Sequence, residues 1–218
     1  GTVALSDGTT CRAPGPLFEL SGDEEAESIA ADWYTDEDVL AVYAMATTEL
    51  EQMVIVYGLR YEDTSTVYRG KQFDGSAYAG AVSYANDYSF LAPSVNLKYY
   101  VDDDRVVRAG VFRSLVRPGF GQSSAGAELN LDDNEIKGGN PGLRPTKAWN
   151  MDVSYDWYIN DETFFTAGLF YKRISDAIVE VNLLNSPLRG VTWNRAETFV
   201  NTGASQLWGF EMSYQVNL

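Results

Sequence analysis

Asp132, Asp133, Asn134 and Glu135 place four oxygen-bearing side chains in succession. Such a run can hold Ca2+, but the glycine and closing glutamate of a calcium loop are missing, so a solvated loop is expected. Asp23 and Glu24 form an acid pair of the kind glycosidases use, yet nothing places two carboxylates across a cleft. Gly119-Phe120-Gly121 begins like a dinucleotide loop but lacks the third glycine and any strand–helix–strand pattern. The 218 residues contain no His and one Cys, Cys11. That excludes a Ser-His-Asp triad, a Cys-His pair, a His-ligated metal and an internal disulfide. No catalytic residue, metal or cofactor is expected, and the chain is not read as an enzyme.

The chemistry that remains is that of rings and of charges on one face of a sheet. Aromatic residues make up 13% of the chain, with 14 Tyr. Tyr84, Tyr88, Phe120 and Trp193, with Tyr68, Phe73 and Tyr78, fall in long connections where rings can stack on a ligand. Arg60, Glu62, Lys98, Arg108, Asp152, Lys172 and Glu211 fall on polar faces of alternating segments, facing solvent or a wet interior.

The positioning elements show in a period of two, which marks strands with unlike faces. Met53–Asp63 sets Met53, Ile55, Tyr57, Leu59 and Tyr61 against Val54, Val56, Gly58, Arg60 and Glu62. Trp149–Ile159 and Leu207–Leu218 alternate as cleanly, Ser94–Val101 does so in shorter form, and Arg105–Val116 and Thr163–Arg173 are strand-like. Val39–Thr48 is apolar on both faces. About seven strands result, several near the ~9–11 residues a tilted strand needs to cross a bilayer. Thr48–Gln52, Asp102–Asp104 and Asn160–Glu162 are short polar turns, while Thr64–Pro93, Arg117–Ala148 and Ile174–Gln206 are long. This alternation suits an up-and-down barrel with short turns on one rim and long loops on the other. Tyr61, Trp149, Trp157, Trp208 and Tyr214 lie on apolar faces, mostly near strand ends, as in an aromatic girdle. A soluble antiparallel sheet with one solvated face, serving as a carbohydrate-binding module, is the alternative.

Charge divides the chain. Residues 1–37 hold nine Asp/Glu against Arg12 and read as an acidic external loop region, with a short helical turn expected around Glu24–Ala31. Residues 38–218 read as the barrel portion. The formal charge of −15 argues against a nucleic-acid partner. No apolar run approaches the ~20 residues of a membrane helix, and Gly1 opens no signal peptide, so a mature product or an internal piece is expected.

Six motifs occur in a familiar order. They are Gly58-x-Arg60-Tyr61-Glu62-x-Thr64; Leu91-Ala92-Pro93-Ser94-Val95-Asn96-Leu97-Lys98-Tyr99; Arg117-Pro118-Gly119-Phe120; and Gly139-Asn140-Pro141-Gly142-Leu143-Arg144-Pro145, leading to Asn150 and Asp152. Gly168 to Ile178 and Asn201-x-Gly203 to Glu211 complete the set. In these the chain resembles the C-terminal barrel of TonB-dependent outer-membrane receptors, in style closest to members proposed to import carbohydrates. The resemblance implies an all-β, antiparallel up-and-down transmembrane barrel segment, about seven strands of a larger barrel of ~22. It implies a bacterial outer-membrane location among lipid and active import of a scarce nutrient such as a carbohydrate or siderophore. It also implies energy from TonB, acting through a plug and TonB box not seen in the sequence. On this reading the seven polar-face residues face the lumen or the plug, with cross-strand pairing as their first role.

Overall fold

The computed structural model of the chain describes residues 2–4, 10–12, 27–74 and 77–216. A two-stranded ribbon, β1 (Thr2–Ala4) with β2 (Thr10–Arg12), pairs Val3 with Cys11. The acidic run Asp23–Glu25 lies outside the described residues, and of the expected helical turn residues 27–30 are helical.

Seven strands form one antiparallel sheet: β3 (Tyr34–Leu50), β4 (Met53–Asp74), β5 (Ala77–Tyr100), β6 (Arg105–Val116), then β9 (Thr146–Asn160), β10 (Thr163–Ser175) and β13 (Ser205–Val216). In space they run β3-β4-β5-β6-β9-β10-β13, with β3 and β13 at the edges of an open sheet. The remaining β7 (Ala127–Asn130), β8 (Glu135–Gly138), β11 (Ile178–Leu188) and β12 (Val191–Asn201) build a separate four-stranded sheet.

All seven strands of the large sheet contain the segments read as strands, six of them alternating or strand-like and β3 the stretch apolar on both faces, and the short turns join them at one end. The β5–β6 turn is held by Asp102, whose carboxylate accepts from Arg105 and from the Asp104 N–H. The Arg105 guanidinium holds the Asp102 carboxyl below the usual carboxylate range.

The long connections are not loops in the main. β4 and β5 continue for 22 and 24 residues and close a tall hairpin; at ~3.3 Å per residue β5 alone runs about 80 Å. β11 and β12 are a hairpin too. Its two-residue turn, Arg189-Gly190, has φ of 55° and 87°, the left-handed pair of a type I′ turn. These strands escape a hydropathy reading because a cap covers their polar residues. Thr64 and Thr66, inward on β4, are each 1% exposed, so polarity no longer marks the outward face.

That cap is the four-stranded sheet with the segment between β6 and β9. Its core gathers Phe73, Ala127, Leu129, Ile136, Trp193 and Ala196, with Ala30 from the helical turn. It is fitted onto β4 without clearance, since a Cβ on Gly70 would lie 2.4 Å from the Ala125 carbonyl oxygen.

Candidate functional site

Register turns the large sheet into rows, since residues directly opposite share a face. On one face three consecutive rows cross six strands: Tyr57-Val95-Val111-Met151-Tyr171-Trp208, then Ile55-Leu97-Ala109-Val153-Leu169-Phe210, then Met53-Tyr99-Val107-Tyr155-Ala167-Met212. No side chain in them is charged. Arg113 and Arg173, both opposite Trp149, bound the band on the cap side; Arg105, opposite Trp157, bounds it on the turn side. Arg105 and Arg113 are about 26 Å apart along the strand, or about 20 Å vertically at the ~40° tilt of such barrels. Leu169 is 65% exposed and Trp208 76%, with no second sheet against them among the described residues.

The opposite face is polar. Val54-Lys98-Arg108-Ser154-Gly168-Glu211 is one row, Val56-Asn96-Gly110-Asp152-Phe170-Gly209 the next, and Lys172 stands in the third beside Asn150. Arg60 and Glu62 follow on β4. The structure therefore places Arg60, Glu62, Lys98, Arg108, Asp152, Lys172 and Glu211 on a single face. Five of them, without Arg60 and Glu62, cluster in the middle rows, where Lys98, Arg108, Asp152, Phe170 and Glu211 line a shallow cleft of about 520 Å3. Within the cluster Arg108 is paired: its Nε lies 3.1 Å from Asp156, and Asp156 accepts from Thr166 Oγ1 at 2.6 Å, while the Lys98 ammonium stands 4.4 Å from the Tyr100 ring centre. Glycines on this face are filled by neighbours. A Cβ on Gly209 would meet the Phe170 ring at 2.7 Å, and one on Gly110 the Asp152 carboxylate at 2.5 Å. A Cβ on Gly168 would make only ordinary contacts, the nearest with the Val153 carbonyl oxygen at 3.7 Å.

At the cap junction the sequence motifs meet. Arg117 bonds Glu62, which Arg60 also reaches at 2.6 Å. Asn140 donates to the Phe199 carbonyl and accepts the Gly142 N–H; Asn86 donates to the Pro141 and Leu143 carbonyls. Arg144 pairs with Asp176 at 2.6 Å, and Asn201 bridges Arg144 and Asp176 backbone groups. Leu143, with no exposed surface, plugs the centre.

The proposed ring set is dispersed. Trp193 is a core residue, 2% exposed, its indole N–H donating to the Leu188 carbonyl, so no face is left for a ligand. This corrects the reading of Trp193 as an open loop ring: β12 places it inward on the cap sheet. Tyr68 and Phe73 are buried as well. Tyr84 is exposed on β5 beside Arg189, Phe120 is exposed in the single helical turn Phe120–Ser123, and Tyr88 is half-buried on β5 opposite Thr64. The sequence reading missed Arg189. Its guanidinium donates to the carbonyls of Ala125, Gly126 and Gly139, and burial lowers its pKa from the usual arginine value. The signal was there in Arg-Gly between two β-rich runs.

An uncharged girdled band on one face, a polar and charged face behind it and short turns at one end define an outer-membrane β-barrel wall. The sequence profile of the TonB dependent receptor-like β-barrel family matches residues 8–218, and the chain belongs to that family, whose members are outer-membrane proteins of Gram-negative bacteria. Among solved structures it is similar in fold to the copper transporter OprC (13% identity, TM-score 0.62, 84% of this chain, 27% of that one). It is also similar to the Serratia marcescens hemophore receptor HasR, solved with its hemophore and heme (14%, 0.59, 84% and 32%). A third is the FrpB iron transporter of Neisseria meningitidis (19%, 0.53, 90% and 26%). The chain thus spans between a quarter and a third of these proteins. No curated protein matches it in sequence.

Proposed function

We propose that the chain forms part of the wall of an active import receptor, which takes up a scarce nutrient with energy delivered by TonB from the periplasmic side. The band of three uncharged rows carries the reading, because only lipid or a second sheet accepts such a face and no second sheet covers it among the described residues. On this reading the polar face lines the lumen. Lys98, Arg108, Asp152, Lys172 and Glu211 are then available to a plug, with a structural rather than a catalytic role. Residues 1–37 belong to the external side and 38–218 to the barrel, and the cap faces outward. A soluble carbohydrate-binding module would instead bury Leu59 and Leu169, both of which are exposed.

Sidedness tests it. In the intact receptor, with Cys11→Ser as background, Asp132→Cys on the cap should react with an impermeant maleimide on whole cells. Asp103→Cys in the β5–β6 turn should react only after the outer membrane is breached. Both positions are exposed, and Asp132 avoids the strained φ of 55° at Asn134. Equal labelling on intact cells overturns the topology and the import assignment with it.

A further inference from the structure

The cap holds a second cleft, of about 430 Å3, that contains none of the rings proposed from sequence. This is within the ~300–1,000 Å3 of small-molecule sites. Trp33 and Phe199 supply its aromatic walls, Gln122, Glu128 and Lys137 its polar groups, and glycines much of the remainder. Trp33 is fixed in place: a Cβ on Gly126 would lie 2.3 Å from Trp33 Cδ1, so one ring edge rests on bare backbone. The rest of the ring stays open, at 40% exposure. A large ring immobilised along one edge and open elsewhere is a preorganised stacking platform.

Charge narrows what it holds. Lys137, the only cation lining the cleft among the described residues, lies 3.7 Å from Glu180 and 4.0 Å from Glu197, and Glu128 lines the cleft beside it. Gln122 is neutral, its Oε1 fixed by the Gly119 N–H at 2.9 Å. In the described segments that build the cap, residues 27–37 carry four acids and no base, residues 117–145 four against three, and residues 174–206 three against two. A polyanion meets repulsion here, and the Arg189 fork behind the cleft is already spent on the Ala125, Gly126 and Gly139 carbonyls. A ring that is apolar on its face and hydroxylated at its rim matches an indole wall, a neutral amide and bare peptide groups.

We propose that this cleft is a subsite for one or two rings of a neutral saccharide, stacked on Trp33. The inference deepens the import reading and rests on it, naming the substrate class.

The experiment screens the purified intact receptor in detergent against an array of neutral oligosaccharides, with a ferric tris-catecholate as the polyanion. Calorimetry follows on the best saccharide. Trp33→Ala should weaken binding about tenfold or more, Trp33→Phe should recover most of it, and Phe199→Ala should weaken it independently. A melting temperature within a few degrees of the parent's shows that Trp33→Ala has not simply loosened the cap. If the cap is loosened, the Phe199→Ala result decides. The proposal is overturned by binding of no saccharide, by saccharide binding that ignores both positions, or by binding of the catecholate alone. Each of these leaves the maleimide result standing, so failure of the subsite is distinguishable from failure of the barrel assignment.

Discussion

At the scale of single residues, the motifs that carry the family resemblance prove to be partners of one another. Glu62 comes from the first motif and Arg117 from the third, yet they bond directly; Asn140, Arg144, Asp176 and Asn201 come from three motifs and form one knot. Their spacing in sequence reflects distances round a fold. The same knot shows why ring chemistry misled. Trp193 stands in a connection by sequence but in a core by structure, so Trp193→Ala should cost the cap about 3–5 kcal/mol. Faster proteolysis within 117–145 and 174–206, with the barrel strands still protected, would register that loss. Unchanged protease resistance would contradict the core role.

At the scale of elements, alternation is legible wherever one face meets an apolar phase and the other a polar one. That condition holds for the lower parts of β4 to β6 and for β9, β10 and β13, while β3 is apolar on both faces. It fails where β4 and β5 rise beneath the cap and bury Thr64, Thr66 and Tyr68, and there the strands are invisible to hydropathy. The row assignment makes a direct prediction for β10 and β13. Leu169→Arg, in the middle of the uncharged band, should destabilise the folded barrel by about 2–4 kcal/mol. Ser213→Arg, on the polar face opposite Thr166, should be tolerated. Denaturant midpoints in detergent or lipid discriminate them, and equal midpoints would show that the faces are misassigned.

At the scale of the whole molecule, the sheet is open. Among the described residues β3 and β13 are the outermost strands of the sheet, and Trp208, Phe210, Met212 and Tyr214 stand exposed along β13. Exposed edges and a broad apolar face lead to self-association in water. The 218 residues produced alone should therefore pellet or stay soluble only in detergent. A monodisperse monomer that melts cooperatively in plain buffer, seen by ultracentrifugation and calorimetry, would refute the lipid-facing band.

What the sequence determined by itself is the seven-strand sheet, its two faces and the side on which each polar residue stands. Period-two alternation encodes these locally, and a one-residue slip would turn every side chain to the other face. What only the tertiary structure decided is which rings are open and which charges pair. Trp193 and Trp33 are both aromatic residues outside the regular alternation, and nothing in their neighbours ranks one above the other. The first is enclosed because β11, β12, β7 and β8 fold over it; the second stays open because Gly126, almost a hundred residues away, leaves room for only one edge of its ring. Burial depends on segments distant in the chain, and a local pattern carries no record of them.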